Sequence, residues 1–201
     1  MLTTAGDLIT SFRREMKDKV EPFFWEDAQL LEFAADGQNR VAEETRCLAD
    51  TLEVDVDPET GLVTIPDTVI RLRSATLPNG QELEFCRLGQ RHAARALVLN
   101  ETSSTARVEP APLSATTLLL HVYRYPCALD NKGSRVEVPV PYRTAVVFWM
   151  RHRALLVQDA ETFDYAKAQD YRALFEAEIR DGMARQGRRN RSFGGVQYQD
   201  I

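Results

Sequence analysis

The fold of this chain is decided in residues 51–65, which read TLEVDVDPETGLVTI. The first three apolar residues of this stretch alternate with acidic residues, which is the pattern of a strand with one buried face. Residues 57–61, Asp-Pro-Glu-Thr-Gly, are typical of a turn, and the residues after them read as a returning strand. The stretch therefore predicts a β-hairpin and marks the start of a β-rich segment.

Strand and turn signals continue beyond this hairpin to about residue 140. Residues 69–77 and 81–85 flank Pro78-Asn79-Gly80, and the Asn-Gly pair is a strong hairpin signal. Further candidate strands are residues 96–99, 106–109 and 118–125. We therefore predict a β domain over residues 52–140, folded as a small sandwich or barrel.

Helical periodicity surrounds the β-rich segment on both sides. Upstream, apolar residues recur at helical spacing from Leu8 to Met16, before Pro22, and again from Leu30 to Leu48. Downstream, residues 142–158 are apolar on more than one side, which indicates a buried helix. A last helix carries apolar residues from Ala168 to Ile179, and Gly182 lies near its expected end.

These elements predict an α+β fold in four parts. Residues 1–51 form an N-terminal helical pair, and residues 141–183 form a C-terminal pair that completes a four-helix bundle, because each helix has an apolar face that needs a partner. The β domain, residues 52–140, is inserted between the pairs, and residues 184–201 form a flexible, extended tail. The residues expected to share the helical core are Phe12, Leu31, Trp149 and Phe175.

The formal net charge of −5 is unevenly distributed, since residues 184–201 contain four arginines and one acid. The rest of the chain is therefore net negative by eight charges, which argues against tight wrapping of nucleic acid. The arginines favour contact with phosphate, and the alternative interpretation of the same composition is a disordered end. The tail also carries apolar residues that a purely solvated end does not need, which favours a third interpretation, binding to a partner protein, for example by adding a strand to its sheet. The candidate partner-binding residues are Arg185, Arg188, Arg189, Arg191, Phe193, Val196, Tyr198 and Ile201.

Signs of catalysis, metal binding or a cofactor are weak. The sequence contains no nucleophile elbow, zinc-protease motif or phosphate-binding loop. Carboxylates at Asp36, Glu43, Glu44 and Asp50 resemble a glycosidase set, but they are better explained as a solvated helix face. Asp55 and Asp57 only partly match a calcium loop. Three widely spaced cysteines predict buried free thiols, and no apolar run is long enough to span a membrane or to act as a secretory signal.

Five stretches of the sequence carry a family resemblance: residues 24–33 (FWEDAQLLEF), 37–42 (GQNRVA), 65–72 (IPDTVIRL), 138–142 (VPVPY) and 158–171 (QDAETFDYAKAQDY). In their order and spacing they resemble the head-to-tail adaptor proteins of tailed bacteriophages, also described as head-completion or tail tubular A-like proteins. The resemblance extends over roughly residues 4–180, and it departs from the family pattern at Trp25, where a Ser or Thr cap is usual.

This resemblance implies a structural ring subunit rather than an enzyme, without cofactor or metal. The implied ring is a homo-oligomer of twelve subunits that joins the portal protein to the tail nozzle or tail tube, and DNA passes through its lumen without specific binding. The protein would be made in the bacterial host cytoplasm and would reside in the neck of the virion, with no membrane partner. The alternatives are another phage assembly module with a basic tail, or a tail-associated cell-wall hydrolase.

Overall fold

The structure, a computed structural model, describes residues 2–90, 94–100, 104–114, 116–157 and 162–191. These described residues form an α+β fold with four α-helices and one seven-stranded sheet. The chain divides into two compact units. The helical unit comprises Met1–Cys47 and Pro126–Ile201, and the β unit comprises Leu48–Tyr125.

The helical unit contains α1 (Ala5–Met16), α2 (Asp27–Thr45), α3 (Arg143–Leu155) and α4 (Tyr165–Arg191), with a short 3-10 helix, Val140–Tyr142, leading into α3. Thr4 caps α1, because its hydroxyl accepts a hydrogen bond from the Asp7 amide while the Asp7 carboxylate accepts one from the Thr4 amide. The helix ends at Met16, six residues before Pro22, because Lys17 adopts the left-handed conformation (φ 61°) and donates its amide to the Arg13 carbonyl.

One hydrophobic core joins all four helices, as the sequence predicts. Phe12, Trp149 and Phe175 are buried in it, and the half-buried Leu31 packs against it. The Trp149 and Phe175 rings lie 5.0 Å apart. Gly37 permits the close approach of α2 and α3, because a Cβ at this position would lie 3.1 Å from Val146 Cγ1.

Residues 126–139 belong to the helical unit, which differs from the predicted end of the β domain at residue 140. Their apolar side chains Leu129, Val136 and Val138 are buried in the helical core. The backbone of this segment also bonds to the start of the chain, where the Val136 amide donates to the Thr3 carbonyl over 3.0 Å. Packing against helices rather than against other strands therefore decides where these residues belong.

The β unit is a single sheet that is nearly closed into a barrel. Its strands follow the order β1-β7-β3-β4-β5-β6-β2, and all neighbours are antiparallel except the parallel pair β4 and β5. The strands are β1 (Ala49–Val56), β2 (Leu62–Thr64), β3 (Val69–Thr76), β4 (Glu82–Arg87), β5 (Ala96–Leu99), β6 (Thr105–Glu109) and β7 (Thr116–Arg124). These bounds agree within a few residues with the predicted strands.

The β3–β4 hairpin confirms the Asn-Gly prediction. Gly80 takes a positive φ of 85°, which a residue with a Cβ rarely adopts, and the Asn79 side chain accepts a hydrogen bond from the Gln81 amide over 3.0 Å. Inward-facing apolar residues of the strands fill the interior, among them Val56, Leu83, Leu97, Val108, Leu118 and Leu120.

Candidate interaction surface

Helix α4 carries the start of the predicted partner-binding segment, and Asp164 fixes where it begins. The Asp164 carboxylate accepts a hydrogen bond from the Lys167 amide over 3.0 Å, and its carbonyl accepts one from the Ala168 amide. Ala168, Phe175 and Ile179 then bury one face of the helix in the core. The first half of α4 is therefore held by packing.

The second half of α4 continues past residue 184, where the sequence predicts an extended tail. The helix runs to Arg191. Gly182 lies buried within it instead of ending it. Two residues into the predicted tail, Gln186 accepts a hydrogen bond of 2.8 Å from the hydroxyl of the buried Tyr142. This bond joins the helix, well beyond Gly182, to the residue just before α3.

Two of the predicted arginines lie on the last turns of α4 as exposed side chains. Arg185 pairs with Glu178 at 3.3 Å and with Asp181 at 3.9 Å, and such exposed pairs contribute little to stability. Arg188 is also exposed, and it lies on the same helix face because it is three residues further on. The structure therefore brings Arg185 and Arg188 together at the basic end of the helix.

The remaining candidate residues extend beyond the described part of the molecule. Arg189 and Arg191 continue the helical backbone, while their side chains lie outside the described residues. The apolar members of the set lie wholly outside them: Phe193, Val196, Tyr198 and Ile201.

A buried arginine orders the loop between α1 and α2. The burial of this side chain was not predicted from the sequence. Arg13 is only 9% exposed; its guanidinium bonds to Asp18 at 2.5 Å and to the Trp25 carbonyl at 2.8 Å. Asp18, 2% exposed, also accepts a hydrogen bond from the Phe24 amide. Neither residue carries a local sign of burial, because both are charged and Arg13 follows the apolar face of α1 by one position.

This ordered loop presents apolar side chains at one end of the helical unit. Phe24 is 63% exposed beside the buried Trp25, which contacts Phe12 edge to face at 5.3 Å between ring centroids. A surface pocket of about 440 Å³ opens next to Phe24 and is also lined by Phe163, itself 50% exposed. Exposed aromatic rings of this kind are typical of a surface that contacts another protein.

The β1–β2 hairpin forms an acidic end of the β unit. Asp57 closes its turn by accepting hydrogen bonds from the Glu59 and Thr60 amides, at 2.8 and 3.0 Å. These bonds hold the pKa of the Asp57 carboxyl below its usual value. The carboxylate thus closes the turn, and among the described residues no group of three or more His, Cys, Asp or Glu side chains has the arrangement of a metal site.

Carboxylates that resemble a glycosidase set each have a structural contact. Asp36 accepts a hydrogen bond from the Trp149 indole at 2.8 Å and pairs with Arg153. Glu43 pairs with Arg40 at 3.0 Å. Asp50 pairs with Arg124 at 2.7 Å across the β1–β7 ladder. Asp36 and Glu43 lie on helix α2 and Asp50 lies on strand β1, and each has an ion-pair partner.

Comparison with protein-family models gives a match over residues 3–198 to the model described as "SU10 adaptor protein". The chain belongs to the SU10 adaptor protein family. This is a family of phage head-tail adaptors, and the resemblance read from the sequence is confirmed. Comparison with curated proteins gives no significant match.

One of the sequence stretches that resemble adaptor proteins, residues 24–33, contains the start of α2. In this SU10 adaptor, α2 starts at Asp27, and Glu26 before it makes no side-chain cap hydrogen bond. Asp27 is instead held by the Lys132 ammonium and the Arg13 guanidinium, which lower the pKa of its carboxyl. A negative charge at this position is also favoured by the helix N-terminus.

The cysteines of this SU10 adaptor are free, and they differ in exposure. Cys86 is buried and Cys47 is half-buried, whereas Cys127 is exposed, contrary to the prediction of buried thiols. Cys127 follows the strands at the start of the segment that returns to the helical unit, where few side chains cover it. Within the described residues, no helix has the length and apolar character needed to cross a membrane.

Proposed function

We propose that this adaptor is the subunit of a homo-oligomeric ring that joins the portal to the tail in the neck of the virion. The observation that supports it is the family match, which covers residues 3–198 and therefore both units. The ring contains twelve subunits and contacts the portal on one side and the tail nozzle or tail tube on the other. It has no catalytic role.

Each unit has a part in this proposal. The four helices form a bundle that gives the ring a rigid wall, supported by the single core to which all four contribute. The segment that starts at residue 184 binds the portal or the neighbouring subunit, with the arginines meeting acidic groups and the apolar residues filling a groove. Arg185 and Arg188, the first arginines of this segment, are exposed at the basic end of α4.

DNA passes through the lumen of the ring without binding to it. The net charge of the chain outside residues 184–201 is negative by eight, and walls of the same sign as DNA disfavour adsorption. Candidate lumen segments are residues 55–59, around the β1–β2 turn, and residues 82–84, at the start of β4, which are acidic and exposed for the most part. Tight, salt-sensitive binding of duplex DNA by the ring would contradict this part of the proposal.

Electron microscopy of the chain mixed with its portal protein tests the proposal. We expect a closed ring on one face of the portal, together with a mass by light scattering that corresponds to twelve copies. The matched control is the portal alone, which shows whether the added density belongs to this chain. A chain that stays monomeric in the presence of portal would instead be an assembly factor of another kind.

A further inference from the structure

Strand β1 leaves one of its two edges without a sheet partner. Its ladder partner is β7, and the Arg124 amide donates to the Leu48 carbonyl at the start of that ladder. Because hydrogen-bonded pairs alternate along an antiparallel ladder, the backbone groups of Thr51, Glu53 and Asp55 point away from β7. Of these, the Thr51 amide bonds to the Asp50 side chain, whereas the amides of Glu53 and Asp55 have no partner in the described residues.

The strand that would close the barrel is too short to cover this edge. β2 has three residues and pairs with β6, and its link to β1 is the turn, where the Asp57 amide donates to the Leu62 carbonyl. Beyond this turn no ladder pair joins the two strands within the described residues. The barrel therefore has an open seam between β1 and β2.

Apolar side chains beside the seam remain partly exposed to solvent. Leu52 and Val54 point toward the barrel interior, yet both remain half-buried, while Val56 at the turn end of the same strand is 2% exposed. Leu62 is 41% exposed. A surface pocket of about 800 Å³ lies between the strands and is lined by Val54 and Leu62. An added strand would cover apolar surface that the unit itself does not cover.

The charge of the seam favours a basic segment. Glu53 and Asp55 project outward from β1 and make no ion pair in the described residues, and Asp57 and Glu59 follow in the turn. Exposed strand edges with unpaired backbone groups bind extended peptides, and the flanking charges select among them.

Residues 185–201 supply first the positive charge and then a strand pattern. The arginines lie at the end of α4, and residues 196–201 read VQYQDI, in which Val196 and Tyr198 alternate with glutamines and Asp200 is the one charged residue. Over residues 196–199 this is the period of a strand with one apolar face, and Asp200 follows on that face. Six residues in a strand span roughly 20 Å, which is enough to pair with most of β1, and the two glycines before Val196 permit the change of direction.

We propose that residues 196–201 of one copy add as a strand to the free edge of β1 in a neighbouring copy. Val196 and Tyr198 then cover Leu52 and Val54, and the arginines at the end of the donor's α4 face the acidic hairpin. The proposal rests on the ring proposed above, because a segment that leaves one subunit and pairs with the next is a head-to-tail contact, and such contacts form a ring when the rotation between successive copies closes.

Photo-crosslinking in the full chain tests the proposal. Tyr198 is replaced by the photo-crosslinking residue benzoylphenylalanine. One batch of the chain is labelled with ¹⁴N and a second with ¹⁵N, and the two are mixed and assembled with portal. The crosslinked peptides are then identified by mass spectrometry. We expect crosslinks to the β1 peptide that combine the two isotopes. Crosslinks of one isotope only, crosslinks to other elements or to portal, or a chain that stays monomeric would each overturn the proposal.

Two edge variants separate backbone pairing from charge. Glu53→Pro removes an outward amide that β7 does not use, as edge strands tolerate, and should reduce the mixed crosslinks about tenfold. Glu53→Gln keeps the amide and should reduce them less than threefold at about 0.15 M salt. Equal yields in both variants would contradict strand pairing.

A double variant of the donor segment, Val196→Pro with Gln197→Pro, gives a test that does not alter the β unit. It should lose the crosslinks to the same extent as Glu53→Pro, and unchanged yields would overturn the proposal. The mass and the portal binding measured in the same samples test the ring itself. A ring that forms on the portal without these crosslinks refutes the strand exchange alone.

Discussion

Gly182 of α4 lies directly against the ring of Tyr142, so closely that a Cβ on Gly182 would be 2.4 Å from Tyr142 Cε1 and 2.7 Å from Cδ1. No real Cβ contact is that short. The ring is buried, with Tyr142 1% exposed, and its hydroxyl is bonded to Gln186 one turn further along the same helix. Gly182 is therefore required inside the helix by the tyrosine that packs on it.

Gly182→Ala should destabilise the protein, although alanine is the better helix former by about 1 kcal/mol. Overpacking a buried contact costs typically 1–3 kcal/mol or more, and the Tyr142 ring cannot move away without losing its bond to Gln186. We therefore expect a net loss of about 1–2 kcal/mol in the free energy of unfolding, measured by urea denaturation.

Gly187→Ala is the matched control in the same helix. A Cβ at Gly187 meets nothing within 4 Å, so the gain in helix propensity should remain, at about 0.5–1 kcal/mol. If both variants are stabilised, the close approach of Tyr142 to Gly182 does not constrain the helix.

Asp18→Ala should be among the most destabilising single changes in the α1–α2 loop. It leaves the buried Arg13 guanidinium without its closest carboxylate, and loss of one member of a buried pair costs about 3–5 kcal/mol. Denaturation by urea measures the loss. Arg14→Ala, which breaks an exposed pair with Glu15, is the control and should change stability by less than about 1 kcal/mol. Similar losses in the two variants would show that the network around Arg13 does not hold the loop.

Asp27 should make stability depend on pH in the acid range. Its pKa in the folded protein is held below the ordinary value of 3.8, chiefly by Lys132 and then by Arg13. Because the pKa of Asp27 is lower in the folded protein than in the unfolded chain, its carboxylate stabilises the folded state at pH values above the unfolded-chain pKa. This contribution is lost as the pH falls through the pKa of the folded protein. Stability should therefore decline from about pH 5 downward, as measured by denaturation at a series of pH values.

Lys132→Met removes the main cause of this shift and should flatten the decline, and Asp27→Asn should flatten it further. Because these side chains are partly exposed, the effect should also shrink in high salt. A decline that is unchanged in both variants would assign it to other carboxylates.

Removal of residues 192–201 should separate folding from assembly. The cut leaves α4 and the Gln186 bond intact, so the thermal unfolding of the subunit should change by less than about 0.5 kcal/mol. Binding to the portal, measured by co-sedimentation of assembled complexes, should fall at least about tenfold if the proposed contact between subunits is made by these residues. A chain in which the same ten residues are replaced by a Gly/Ser linker should behave like the truncated one; full binding by either would contradict a role for the segment.

The sequence by itself determined the elements whose signals are local. The Asn79-Gly80 hairpin follows from a turn that only a few residue types adopt, and the change of period at Leu52 marks the first strand because side chains alternate along it. The helices of the core could likewise be predicted from the spacing of apolar residues such as Phe12 and Trp149. The family could also be recognised, since it depends on the order of such local patterns.

Only the tertiary structure decided what depends on contacts distant in sequence. Gly182 has the local character of a helix end, yet α4 passes through it because Tyr142, forty residues earlier, fills the space of its side chain. Arg13 and Asp18 read as solvated charges until the fold buries them together. The open seam beside Glu53 depends on the whole strand order, in which β1 and β2 are adjacent in sequence and stand at opposite ends of the sheet. Periodicity describes one element at a time, whereas these features arise where two elements meet.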